Sequence, residues 1–566
     1  MRVLGFPPSG KLLMIVELRF DDARPRAWMV RLAKLLDDGR CEIQIAWVRT
    51  AAPRPAGLEA LFELERMLLR GGKPGGSDAV SKDACGRPAQ PGRNPDIVVD
   101  FTDRERDADC NPRLYLRPLY NGAAGEGAVL ASVLSGDLPF IELRNEIDGE
   151  ILDAGLPSAE VAEGLSGSLD TVMERTGTLL SAVVSGKPRP TPRKIAGFNR
   201  PYSRSPAAYV LGGLAFGILK RIYRLCCYSP HWRVGWRYTD DAGIWNSGDL
   251  SGPRWNAIPS PAHRFYADPF AVSWQGRTFV FFEDLDHRVG KGTISAIEFG
   301  ETGPIGAVIP VLEEPWHLSY PFLLQHDGEL WMIPESTGNR DVTLYKCVDF
   351  PGRWERHTTL LSGFELADAT IVRHDGLYYL LGATRDGAAG YSDTLSIFHS
   401  EQLFGPWIPF AANPVMLDRA GARPGGNFVT IDRRLWRPVQ DCTYGYGCAL
   451  GLAEVTELSP TSFSQVVRHV IWPGPLWPGR KLHTLNRCGR LELIDGTSIQ
   501  PRLAPRGAAN RAAAPQPVSQ PGRLAPSADH RPAAAQSGGF LEARQAPGSE
   551  CQVRLMGRRA ERSAGS

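Results

Sequence analysis

"HRFYADPFAVSWQGRTFVFFEDLDH", residues 263–287, decides the fold. Phe270 to Trp274 and Thr278 to Phe282 alternate and run apolar like two short strands, and Gln275-Gly276-Arg277 between them supplies a tight turn. A hairpin centred on that turn brings Asp268 and Glu283 back to the same end. Carboxylates at one end of an apolar hairpin need a reason, and the reason lies in repetition.

The design recurs downstream. "SYPFLLQHDGELWMIPEST" carries Tyr320, a turn at Asp327-Gly328 and Glu335 in the corresponding slots. "ADATIVRHDGLYYLLGATR" carries Asp368, Asp375-Gly376 and Ala383, and "RPGGNFVTIDRRLWRPVQD" carries Gly425, Asp432-Arg433 and Gln440. A fifth copy, "KLHTLNRCGRLELIDG", offers Lys481, Cys488-Gly489 and Gly496. Start positions 268, 320, 368, 425 and 481 recur at intervals of about 50 residues, the period of propeller blades, each of which buries its faces only by stacking on neighbours. Five copies predict a five-bladed β-propeller, with Gly292 to Ile297, Val342 to Cys347 and Thr394 to Phe398 as outer strands and Trp316, Trp354 and Trp407 near blade edges. A sandwich of hairpins also fits alternating strands but does not explain five turns in register.

The chain has 566 residues, room for roughly two to four domains. Residues 1–185 alternate apolar strand patterns (Leu12 to Val16, Glu42 to Val48, Ile97 to Phe101) with helical ones (Ala27 to Leu36, Gly57 to Leu69, Ala123 to Leu134), which predicts a doubly wound, Rossmann-like α/β domain. Asp100, Thr102 and Asp103 would follow a strand end, where such folds hold ligands, or simply cap it. Gly71-Gly72 and Gly75-Gly76 read as a flexible insertion. Residues 186–230 begin as a Pro- and base-rich linker and continue into an apolar run, residues 207–228, ending in Lys220, Arg221 and Arg224. The run is shorter than the ~20 apolar residues a span needs. Either it packs across a domain junction or it lies in a membrane surface, its cations on lipid phosphates. Residues 231–500 hold the propeller, and 501–566, rich in Ala, Arg, Pro and Gly, lack any periodicity and read as a disordered tail. A net charge of +2 gives no reason to expect a nucleic-acid partner. Ten cysteines without metal-finger spacing suit a reducing compartment, and the first residues lack a secretory pattern, so cytoplasmic residence, peripheral to the inner membrane if the helix is interfacial, is the expectation.

In a propeller the innermost strand of each blade lines the axis. Asp268, Tyr320, Asp368 and the segment from Arg423 to Gly425 would converge there, with Glu283, Glu335 and Gln440 returning to the same face. Several carboxyl groups in one pocket can protonate a leaving oxygen, activate water and tune one another. Tyr320, Trp316 and Tyr444 offer faces for sugar rings, and Arg423, Arg437 and His483 could hold an anionic group. The same acids also cap turns in many strands, and Glu283 near Arg288 could be an ion pair. No metal ligand set is expected, and no cofactor can be named.

"FYADPF", "LADATIV" and the five-blade spacing resemble family-43-type glycoside hydrolases, which implies an Asp base at Asp268 and a modulating Asp at Asp368. The fourth blade, "GARPGGNF", lacks the Glu acid of that family, so Glu335 or Glu283 would have to serve. The run "ADPF … FFED … SYPF … IPES … LADATIV … NPV … ARPGG … RPVQDCTYGYG", with Gln440 and Asp441 in its last motif, is similar to the propeller-like N-terminal domain of plant glucosamine inositolphosphorylceramide transferases and their bacterial relatives. That resemblance implies a glycan or glycolipid ligand without implying transfer, since the plant transferase module is a separate domain with no counterpart read here. The first 185 residues are similar to a formyltransferase-type α/β domain but lack its Asn, His and Asp pattern, so formyl transfer is not expected. Two classes of function follow: chemistry on a glycosidic bond through Asp268, Asp368 and Glu335 or Glu283, or a glycan-binding propeller attached to a formyl- or glycosyltransferase-like domain.

Overall fold

The computed structural model describes residues 14–502 apart from 38, 51–56, 91, 107–109, 188–204 and 386–388. The first residues, most of the basic linker and nearly all of the expected tail lie outside the described residues.

Five blades close a ring around one axis. Blade I is Arg264–Trp274, Arg277–Asp286, Lys291–Gly300 and Gly303–Leu312, and blade II is Ser319–His326, Glu329–Glu335, Asp341–Asp349 and Arg353–Ser362. Blade III opens with Leu366–His374, Leu377–Thr384 and Thr394–Ser400, and blade IV with Val429–Ile431, Arg434–Asp441, Ala449–Ser459 and Ser462–Ile471. Every inner hairpin turns on two residues, as the Gly and Asp signals require, and Asp327, Asp375 and Asp432 adopt the left-handed backbone that such turns need. The fifth copy turns one residue later than its sequence suggested, on Gly489-Arg490, because Cys488 already pairs with Leu491.

Blade V closes the ring. Its inner strands Leu485–Cys488 and Leu491–Thr497 come from the end of the repeat region, while its outer strands Trp232–Tyr238 and Asn256–Ala257 come from the beginning. Sealing the ring with strands from both ends of the repeat region ties the last blade to the first and leaves only short, protected edges at the axis.

The N-terminal sheet is mixed rather than wholly parallel. Met14–Asp21, Cys41–Val48, Arg87–Pro88, Ile97–Asp100 and Leu114–Tyr120 run parallel, and Ile141–Asn145 and Ile151–Gly155 add an antiparallel hairpin. The long helix Gly164–Val184 rests against Ala27–Leu36, Leu58–Leu69 and Glu126–Leu134, all in one apolar core. Thr102 and Asp103 line a cavity of about 330 Å³ at the ends of the parallel strands. Asp100 does not, because Thr102, Tyr115 and Arg117 consume its carboxylate. The glycine insertion is tied down rather than flexible: Gly76 donates to Asp170 and its carbonyl accepts from the Trp28 N–H.

The two halves share a polar seam. Arg175 of the long helix forms a fully buried pair with Asp393 of blade III at 2.6 Å, and Asp393 also accepts the Ser158 N–H. Arg419 reaches Asp137 at 2.8 Å, and Leu156 bridges to Asp418.

Candidate functional site

A bulge interrupts the inner strand of each of the first three blades, between Ala267 and Phe270, Ser319 and Phe322, and Ala367 and Thr370. Asp268, Tyr320 and Asp368 sit in those bulges with φ of 51°, 42° and 55°. Left-handed backbone is unusual for Asp and costly for Tyr, and it persists only where the surroundings impose it. Here it swings three repeat-equivalent side chains onto the axis. Blade IV carries Gly425 and Gly426 in the same place, and a Cβ on Gly426 would stand 2.1 Å from the Leu485 carbonyl oxygen, so only glycine lets blades IV and V meet.

The axial side chains form one buried network. Asp368 accepts from Arg423 Nε at 2.6 Å and Gln440 Nε2 at 2.7 Å, and its own N–H donates to Glu335. Asp268 accepts the Tyr320 N–H and lies 3.3 Å from His483 Nε2, while His483 Nδ1 meets Asp495 at 2.7 Å. The Tyr320 hydroxyl pairs with Thr370. His483 stacks on Trp232, and the Arg423 guanidinium lies over Tyr446 at 4.7 Å. Glu335, Tyr446 and Lys481 are half-buried at the mouth.

Two expected residues stand elsewhere. Arg437 bonds Gln465 and the carbonyls of Gly421 and Ala422 inside blade IV, where burial pushes it down to about 9. Asp441 caps the turn at Thr443 and faces Arg419 at the domain seam. Glu283 lies beside the cluster and pairs with His317 at 3.3 Å. Tyr446 takes the place expected of Tyr444, which packs on Trp472, and Trp316 stays in the core between blades. Asp495, Trp232 and Tyr446 escape the sequence reading; the acids Glu492 and Asp495 within the otherwise apolar strand "LELIDG" were the available signal for the first.

The charges are arranged to hold protons. Burial pushes the Asp268 carboxyl well above the usual carboxylate range, with Asp495, Glu283 and Asp368 adding to the effect and His483 opposing it. Burial and Asp368 do the same to Glu335. Burial alone would lower His483, but Asp495 and Asp268 raise it. Burial likewise opposes the charge on Arg423, and Asp368 more than restores it. Asp268, His483 and Asp495 bring ligand atoms within 4.8 Å of one another, a spacing that suits a cation, and the His483 imidazole already lies between the two acids, 3.3 Å from Asp268 and 2.7 Å from Asp495.

A pH dependence follows. The folded state holds the protons of Asp268 and Glu335 more tightly than the unfolded chain, so their stabilisation is full below the unfolded carboxylate pKa of roughly 4 and is lost as pH rises through the elevated folded values. His483, also raised, acts in the same direction above roughly 6.5. The melting temperature is expected to fall with rising pH, and Asp268→Asn should flatten that slope in a melting series across pH. An unchanged slope would contradict the protonated assignment.

Comparison with known proteins bears on this region. The family model for glucosamine inositolphosphorylceramide transferase 1, N-terminal, matches residues 256–486, which take in Asp268 through His483 and stop short of Asp495. Glucosamine inositolphosphorylceramide transferase 1 of Arabidopsis thaliana is 34% identical over 218 residues, 37% of this chain and 28% of its own length. The Oryza sativa subsp. japonica protein of that name is 32% identical over 207 residues, 36% of this chain and 28% of its own. The chain thus spans about 28% of the length of the curated relatives it matches. Similar solved structures include Zg3597, a family 117 glycoside hydrolase from Zobellia galactanivorans (13% identity, TM-score 0.30, 50% of this chain and 98% of that one). The GH43 protein BlXynB from Bacillus licheniformis is another (17% identity, TM-score 0.29, 45% and 51%). By residues 256–486, the propeller is similar to the N-terminal module of the glucosamine inositolphosphorylceramide transferase 1 family.

Proposed function

We propose that the propeller recognises a glycan or the head group of a glycolipid at the mouth of its axial cluster, in surface-polysaccharide or glycolipid metabolism. The observation that carries this reading is the convergence of Asp268, Glu335, Asp368, Arg423, Gln440 and His483 from separate blades onto one axis. Such a cluster mixes acids whose hold on their protons is strengthened by burial, an Arg–Asp pair and an amide, the mixture of donors and acceptors that vicinal hydroxyls require. The name of the relatives, transferases on inositolphosphorylceramide, supports a lipid-borne ligand. A lipid-borne glycan is met at a membrane, and residues 207–228 are the segment that would touch it.

Recognition is favoured over bond cleavage because Arg423 and Gln440 already occupy Asp368 and His483 already faces Asp268. One feature favours chemistry: burial pushes the Asp268 and Glu335 carboxyls well above the usual carboxylate range, the direction a general acid needs. For the N-terminal domain we keep a Rossmann-like, formyltransferase-related ancestry within the proposal, supported by five parallel strands and a cavity at their ends.

A glycan-array and hydrolysis screen of the full chain, wild type beside the Asp268→Asn, Asp368→Asn double variant, separates these readings. Retention without release by the wild type alone supports recognition. Release by the wild type alone moves the assignment to glycosidic-bond chemistry, and equal behaviour of both proteins removes the axial cluster from the function.

A further inference from the structure

The helix Pro206–Cys226 exposes Leu211, Ile218, Leu219, Ile222, Tyr223 and Leu225 among the described residues. Its start is capped by Ser205 and rests against the helices Leu58–Leu69 and Gly164–Val184, and Val210 is its one buried residue. Beyond that anchor Leu211, Ile218, Ile222 and Leu225 recur at intervals of seven, four and three, which places them on one face of the helix. Their exposures are 66%, 58%, 52% and 77%, and Leu219 beside them is 63% exposed. Isolated exposed leucines need no account, but a continuous stripe does.

The charges around the stripe select its partner. The helix contains no acidic residue; Arg221 flanks one edge of the stripe, with Arg224 and Lys220 following round toward the opposite side. Arg480 lies close enough to Tyr223 to act on its hydroxyl, and Arg502 donates to the Arg224 carbonyl and covers the Tyr228 ring at 4.6 Å. An apolar stripe whose charged neighbours on the helix are all cations fits an anionic bilayer surface better than a second copy of itself, whose cations would face its own. The helix is not long and apolar enough to cross.

The helix also leads directly to the axial site. Its end passes through Cys227–Tyr228 to Trp232, which stacks on His483 at 4.1 Å between ring centres. In the loop that follows blade IV, exposed Trp472 packs on Tyr444 at 5.9 Å, exposed Leu476 follows, and Lys481 lies 5.2 Å from the Tyr446 ring beside Trp232. We propose that the helix and the loop containing Trp472 and Leu476 form one membrane-docking platform on anionic lipid, which turns the mouth of the propeller toward the bilayer. The docking stands on this surface alone; that a glycolipid head group then enters the mouth rests on the function proposed above.

Flotation of the full chain with phosphatidylcholine vesicles, with and without phosphatidylserine, tests it. The wild type should float with the anionic vesicles. Ile218→Asp with Ile222→Asp should lower flotation by at least about tenfold, because two apolar anchors become anions. Replacing Lys220, Arg221 and Arg224 by Ala should remove the preference for phosphatidylserine. Trp472→Asp with Leu476→Asp should also weaken binding, whereas Ile305→Asp, on the outer strand of blade I, should not. Failure of the wild type to float, or unchanged flotation of the helix variant, overturns the proposal. So does light scattering that shows a dimer dissolved by the helix variant without loss of flotation. An effect of the helix variant with none from the loop variant overturns the orientation of the mouth. The Asp268→Asn, Asp368→Asn protein should float as the wild type does, so a failed glycan screen and a failed docking surface remain distinct results.

Discussion

Arg423→Ala is expected to cost about 3–5 kcal/mol of propeller stability, because it strands the Asp368 carboxylate in a buried site. Arg423 is 6% exposed and Asp368 2%, and the Arg423 Nε contact at 2.6 Å is the strongest charge compensation Asp368 has. Gln440 remains as a neutral donor and cannot replace a cation. Urea denaturation should show the loss as an earlier transition, and a shift below about 1 kcal/mol, the range of an exposed pair, would contradict the burial argument. A second variant separates stability from function. Asp368→Leu with Arg423→Met removes both charges, and replacing a buried pair by apolar groups is often nearly neutral, so it should recover a large part of the lost stability. It should still fail to retain glycan. Recovery of both properties would mean that the pair only supports the fold.

Particular residues show what the sequence could and could not reveal. Two-residue turns carry a strong local signature, since Asp327, Asp375 and Gly489 stand where left-handed backbone is needed, and this made five blades legible. The register of those turns then located Asp268, Tyr320 and Asp368 without any knowledge of the bulges that turn them inward. Closure of the ring was not legible, because pairing of Trp232–Tyr238 with Leu491–Thr497 joins segments far apart in the chain. Arg437 and Asp441 were misplaced for a simple reason. Side chains alternate along a strand, so with Gln440 facing the axis both odd-numbered residues turn the other way. Asp495 sits outside the slots of the repeat, and no periodic argument reaches it.

The Pro-rich linker carries no sign of how the two halves meet, and they meet through buried charge. Two groups of the N-terminal half hold Asp393 of blade III: Arg175 pairs with it at 2.6 Å and the Ser158 N–H donates to it. Burial raises the Asp393 carboxyl even against the opposing effect of Arg175, so the pair is strained by desolvation and depends on both members. Arg175→Ala is therefore expected to cost about 3–5 kcal/mol at the seam, far more than an exposed pair would. Asp393→Asn should destabilise the seam as well, since it leaves the buried Arg175 guanidinium without its counter-charge even though the amide oxygen can still accept from Ser158. The readout is the number of calorimetric transitions. If the seam couples the halves, the wild type melts as one unit and Arg175→Ala divides into a propeller transition and an earlier N-terminal one. Glu160 makes the outcome bear on the site, because it bonds the Tyr391 N–H at 2.7 Å beside Asp393 and its charge reaches Arg423. Loosening the seam should then also disturb glycan retention at the mouth, whereas two transitions with retention intact would show that the propeller recognises its ligand without the N-terminal domain.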